Sequence, residues 1–150
     1  MLKKLIVAVL LACAAALPAA AAGFWLGAKG EQPAVSGYDV VSYFGGMPVA
    51  GSAEFSAVHI GATFRFASAA NRDAFIAGPD RYAPQFGGHC AWAASQGRLA
   101  GPDPTIWHIV GGKLYLNCSK DADAKWLADV PGNIAKAEAF WEAHEYGAEP

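Results

Sequence analysis

The chain is poor in the groups from which metal, redox and catalytic sites are built, with 3 cysteines and 4 histidines among 150 residues. No CxxC pair occurs, which removes the usual dithiol oxidoreductase signature. HExxH, a phosphate-cradling glycine loop and a glycine-serine elbow are also missing, so the common metalloprotease, nucleotide-binding and hydrolase readings have no anchor. Charge is sparse too. Lys and Arg number 11 against 13 Asp and Glu, for a formal net charge of −2, and no basic run stands out. Nucleic acid is therefore not an expected partner.

What is present begins with MLKKLIVAVLLACAAALPAAAAG, in which Lys3 and Lys4 precede an uncharged run from Leu5 to Ala22 that ends in small residues. This pattern reads as an export signal over residues 1–22, cleaved near Ala20-Ala21-Ala22. The stretch Leu10-Leu11-Ala12-Cys13 is also similar to a bacterial lipoprotein processing site, which would leave Cys13 lipidated and the chain anchored. With simple cleavage no membrane contact is expected. Either route delivers the folded part to a periplasmic or extracellular, oxidising space. Loss of Lys3 and Lys4 takes the formal charge from −2 to −4, and what remains is long enough for one domain.

Residues 23–36 lack a sustained period and carry Gly27, Gly30 and Pro33, so they read as a tether, with the domain over 37–146. In GYDVVSYFGG, Tyr38, Val41 and Phe44 recur at helical spacing. SAEFSAVHIGATFRFAS predicts a hairpin turning at Ile60-Gly61, with Phe55, Ala57, Phe64 and Phe66 on one face. Ile60 is awkward there, because a two-residue turn wants positive φ at both positions. Ser68 caps a predicted helix through Ala77, with Phe75 and Ile76 facing the core, stopped by Gly78-Pro79. A further helix opens near Gly88 and runs to Gly97, and RLAGPDP is read as a loop. TIWHIV, Gly111-Gly112 and KLYLNC form a second hairpin, with Trp107 and Ile109 sharing a face with Leu114 and Leu116, and His108 opposite Tyr115. Ser119, Asp121 and Asp123 begin a helix that buries Trp126 and Leu127. Beyond Pro131 a last helix carries Ile134, Ala137, Phe140 and Trp141 as its apolar stripe. The sum is an α+β fold, a small single domain of two short hairpins packed against several short helices. No internal period of twenty residues or more stands out beyond a loose hairpin-then-helix repetition.

These residues resemble the YHS-domain family, in particular its exported bacterial members. The stretches that carry the likeness are GYDVVSYF, GSAEFSAVHIGATFRFASAANRDAFIAGPDRYAPQFGGHCAWAASQG, WHIVGGKLYLN and PGNIAKAEAFW, spanning roughly residues 37 to 141. The resemblance implies the same small α+β domain. It also implies similarity to TRASH-type metal-binding modules, found with transport proteins for copper and other heavy metals. Where metal-binding relatives place cysteines at the strand-to-helix corner, this chain has Phe66-Ala67-Ser68-Ala69-Ala70, so those ligands do not carry over.

Four residues remain as the candidate metal set: His89, Cys90, His108 and Cys118. Cys90 and Cys118, spaced Cys-x27-Cys, read as a disulfide, as buried unpaired thiols, or with Cys90 as a functional thiol. Placed in the first turn of a helix, Cys90 would have its thiolate favoured by the helix end. His59 and His144 read as solvated surface residues, and acids such as Asp39, Glu54 and Asp73 as capping, loop or solvated residues. The expected function is an exported small binding module that takes a copper or zinc ion or another small ligand. The alternative is a non-catalytic structural domain serving a protein partner. An enzyme is not expected.

Overall fold

In the computed structural model the described residues are 32–145, with side chains to 143. Residues 1–22, read above as an export signal, with Cys13, most of the proposed tether and the His144 side chain lie outside them. The architecture is a small α+β domain. Strand β1 (Ser52–His59) pairs antiparallel with β2 (Ala62–Phe66), and β3 (Asp103–Val110) with β4 (Lys113–Asn117). Five helices surround the two hairpins: α1 (Ala69–Ala77), α2 (Pro79–Tyr82), α3 (Ala91–Ser95), α4 (Lys120–Leu127) and α5 (Val130–Glu145).

The chain is built twice. Within the described residues the main features of the first half return 51 positions later, as with Ser52 and Asp103 at the starts of β1 and β3, or Ala62 and Lys113 at the starts of β2 and β4. Both hairpins carry an irregularity at the same place, between Ser52 and Ser56 in one and between Asp103 and Trp107 in the other. Each half opens on a left-handed turn, Val35-Ser36-Gly37 (φ 52°, 53°, 82°) and Phe86-Gly87-Gly88 (φ 56°, 59°, 84°). Equivalent backbone bonds follow, Asp39 N–H to the Val49 carbonyl and Cys90 N–H to the Ala100 carbonyl, both 2.9 Å. The helix caps repeat as well. Ser68 Oγ accepts from Asn71 N–H and Ser119 Oγ from Ala122 N–H, each at 3.1 Å, satisfying an amide that the helix leaves unpaired.

The core divides between the halves, and β4 forms the wall they share. Leu114 and Leu116 face a cluster with Val40, Tyr43, Phe64, Phe66 and Phe75, while Tyr115 between them faces Phe86, Trp126 and Ala137. That division follows from the two-residue alternation of a strand. The same ring pair anchors each cluster. Phe64 and Phe75 lie 4.7 Å apart, and their counterparts Tyr115 and Trp126 5.6 Å apart. Fully burying side chains of this size contributes about 1.5–3 kcal/mol each.

Both hairpins, their turns and the Trp107/Leu116, His108/Tyr115 and Ile109/Leu114 register agree with the sequence. Several details do not. Ile76 and Leu127 are exposed, at 59% and 49%, because their neighbours Phe75 and Trp126 occupy the single buried face of each short helix and adjacent positions point about 100° apart. Trp107 is only half-buried, its ring set edge-on to Tyr43 at 5.4 Å. RLAGPDP is not all loop, since β3 starts at Asp103 and Pro104 falls in the irregular stretch, where a proline displaces no regular ladder bond. The helix expected from Gly88 starts only at Ala91, with His89 extended and Cys90 as its cap. Ala34 and Val35 are core residues, so packing begins ahead of Gly37.

Candidate functional site

The left-handed turn at Phe86-Gly87-Gly88 requires a backbone that glycine adopts without strain, and it sends the chain inward so that Cys90 meets the end of β4. There Cys90 forms a parallel bridge with Leu116, two residues before Cys118. The two sulfurs lie 2.7 Å apart as free thiols. Cys118 N–H also donates to Cys90 Sγ at 3.1 Å, so backbone and side chain hold the pair together. Cys90 is completely buried, whereas Cys118 is partly exposed.

A partly buried polar chain leads away from the sulfurs. Asn117 Oδ1 accepts from Trp92 N–H at 3.0 Å and faces Cys90 Sγ at 3.8 Å. Its Nδ2 donates to Asp123 Oδ1 at 2.9 Å, and the same oxygen lies 2.7 Å from His108 Nε2. The His108 ring is stacked on Trp126 at 5.3 Å. Asn117 thus satisfies buried groups on both sides, as a buried amide must.

Burial decides the chemistry of Cys90. Its thiol is pushed up to about 11, first by desolvation and then by the bond to Cys118. Burial therefore works against the expected helix-start activation. Cys90 caps a helix of 5 residues and sits in an apolar pocket with Ala93 and Ala122, where an uncompensated thiolate is costly.

Of the four candidate ligands, Cys90 and Cys118 come together, and His108 is tied to them only through Asn117 and Asp123. His89 points elsewhere, beside Trp141 at 6.0 Å. Among the described residues no group of three or more His, Cys, Asp or Glu is placed to hold a metal ion. Two sulfurs on one tetrahedral zinc stand about 3.7 Å apart, from bonds of about 2.3 Å, so this pair as it stands does not fit one. His59 is not simply solvated. Its side chain is 18% exposed and meets the Phe75 ring edge-on at 5.8 Å, with Asp80 3.9 Å away.

The first half supplies an internal control. Asp39 stands where the second half has Cys90, and Ala67 where it has Cys118. Asp39 is fully buried, its Oδ2 accepting from Ala67 N–H at 2.9 Å and Asn71 Nδ2 at 2.7 Å, and its Oδ1 from Val41 N–H at 2.9 Å. Sequence reasoning took Asp39 for a capping or loop residue and passed over Asn117. A polar side chain on the inward side of an otherwise apolar strand, as Asn117 is in KLYLN, was the available signal.

A second concavity lies where the halves meet. It is a groove of about 460 Å³ between the first hairpin's turn, the segment joining the halves, Lys113 and helix α5. Trp141 and Phe86 give it aromatic walls, and Asp80, Glu138, Glu142, Lys113 and His59 line it as well. Lys113 Nζ is 3.8 Å from Glu138 Oε1, and burial holds His59 below its usual range against the opposing pull of Asp80. No protein family, curated protein or solved structure matches this chain.

Proposed function

We propose that the protein is an exported binding module of the YHS type that takes a small organic cation in the groove between its halves. Support for the family comes from the stretches between residues 37 and 141 named above. Support for export comes from Lys3, Lys4 and the apolar run behind them. The observation that carries the ligand reading is the groove itself. Its volume of about 460 Å³ is within the range of small-molecule sites, and such sites favour the seams between structural units. Three carboxylates stand against one ammonium in its lining, and Trp141 adds to that lining an indole, the aromatic ring that cations bind best. A copper or zinc ion on His89, Cys90, His108 and Cys118 is less well supported, since only the two cysteines come together and the histidines lie apart from them.

Titration of the purified protein with choline and with short diamines, followed by tryptophan fluorescence, tests the reading. Saturable binding that weakens at least about tenfold in Trp141→Ala is expected, a loss on the scale of one desolvated cation–π contact. Absence of saturation with every probe, or affinity unchanged in both Trp141→Ala and Glu142→Gln, overturns it.

A further inference from the structure

The internal repeat shows what the fold requires at the corner between strand and helix, and the second half holds more than that. In the first half a carboxylate alone ties the corner, through Ala67 N–H to Asp39. In the second half the equivalent tie, Cys118 N–H to Cys90 Sγ, comes with a second sulfur 2.7 Å from the first. Backbone geometry does not demand that second thiol, because alanine serves at the matching position 67. Nor do the two sulfurs resemble a packed apolar pair, since Cys118 is partly open to solvent while Cys90 is sealed.

We propose that Cys90 and Cys118 form a thiol–disulfide exchange site for small aliphatic disulfides, with Cys118 as the sulfur that meets the substrate and Cys90 as the resolving sulfur. In the first step the Cys118 thiolate attacks one sulfur of a disulfide RSSR. A mixed disulfide forms on Cys118, the substrate S–S bond breaks, and one RS⁻ leaves and is protonated to RSH, taking up from solvent the proton that Cys118 gave to it. In the second step Cys90, losing its proton to the departing RS⁻, attacks Cys118 Sγ. The Cys90–Cys118 bond forms, the mixed disulfide breaks, and the second RSH is released. The balance is one RSSR and two protein thiols converted into one protein disulfide and two RSH, so the protein is oxidised and the substrate reduced.

The surroundings suit these roles. The order of attack follows from access, because Cys90 is wholly buried while Cys118 is partly exposed. The Cys118 N–H aimed at Cys90 Sγ stabilises negative charge as the buried thiol ionises. In the reverse direction an external thiol must expel Cys90, and a thiol held at about 11 leaves slowly. The pair therefore closes more readily than it reopens, which suits an oxidising compartment. This site is separate from the groove, and neither proposal depends on the other.

Trapping tests it on the full chain, with peptide mapping that distinguishes Cys13. Cys90→Ser, exposed to glutathione disulfide without denaturant, should accumulate a stable mixed disulfide on Cys118. Cys118→Ser should acquire one on Cys90 at least about tenfold more slowly, as burial suppresses thiolate and access together. Wild type should pass through a transient adduct on Cys118 and end as the internal disulfide, which requires no variant to fold. Adducts forming equally fast on both sulfurs, an initial adduct on Cys90, or no reaction of wild type until denaturant is added would each overturn the proposal.

Discussion

In the first half of the molecule the corner between strand and helix is held by the Asp39 carboxylate, which accepts three hydrogen bonds, and the strand residue beside it is the apolar Phe66. In the second half the corresponding residues are Cys90 and Asn117. A thiol is a weak acceptor, so the amide bond that Asp39 Oδ1 takes from Val41 is taken instead by Asn117 Oδ1, from Trp92 N–H. Two exchanged residues thus compensate each other across 27 positions of chain. The backbone can be closed by either set. Only one set leaves a pair of sulfurs behind, which is why sulfur at this corner points to chemistry beyond folding.

The largest expected effect comes from breaking the polar corner of the first half. Asp39→Ala would leave Val41 N–H, Ala67 N–H and the Asn71 amide without their acceptor in a fully buried place. A loss of about 3 kcal/mol or more is expected, since bonds to a charged acceptor contribute about 1.5–3 kcal/mol and buried orphaned donors add to the cost. Cys90→Ala, at the equivalent position, should cost about 1–2 kcal/mol, because Asn117 carries most of the acceptor load there. Denaturant midpoints of the two variants under reducing conditions check the comparison. Equal losses would mean that the halves do not divide the work as described.

Turn chemistry sets a smaller contrast. The first hairpin turns on Ile60-Gly61 with φ of 47° and 75°, the second on Gly111-Gly112 with 57° and 75°. Positive φ strains a β-branched residue and leaves glycine unstrained. Ile60→Gly should therefore stabilise the protein by up to about 1 kcal/mol, after offsetting the extra freedom glycine has in the unfolded chain, and Gly111→Val should destabilise it by about 1–2 kcal/mol. Thermal unfolding of both variants measures the pair. A destabilising Ile60→Gly would show that contacts of Ile60 at the groove outweigh the strain.

The sequence displayed the hairpins, the Ser68 and Ser119 caps and the apolar face of α5, because each rests on local periodicity or on a residue with one strong preference. It showed the repeat only as a loose succession of hairpin and helix, because the equivalent positions that matter most are chemically unlike: Asp39 and Cys90, Phe66 and Asn117, Ala67 and Cys118. The left-handed turn at Val35-Ser36-Gly37 was hidden for a similar reason, since valine and serine signal no positive φ and tertiary packing imposes it. Of the site, the two cysteines could be named but their meeting could not, as it depends on the parallel bridge from Cys90 to Leu116. The histidines join the cysteines in the candidate set because the four residues come from two elements that the sequence allows to be neighbours. In space, Asp123 and Trp126 hold His108, and His89 packs by Trp141.

The smallest expected effect concerns pH. His59 ends β1 where the second half has Val110 at the end of β3, so at this matched position one half carries a titratable group and the other does not. Burial against Phe64 and Phe75 lowers the His59 pKa from 6.5, and Asp80 partly opposes that shift. Below pH 6.5 the unfolded chain takes up a proton here that the folded protein declines, so stability is full above that pH and falls as pH drops toward the lowered folded pKa. His59→Val should flatten the fall in the denaturant midpoint between about pH 6.5 and pH 5. Asp80→Asn should do the opposite. Removing the carboxylate takes away the influence that raises the folded pKa, which widens the window and steepens the acid loss, though only slightly because Asp80 lies almost wholly in solvent. Profiles of the three proteins that superimpose after vertical shifting would show that His59 stays as accessible to protons in the folded state as in the unfolded one.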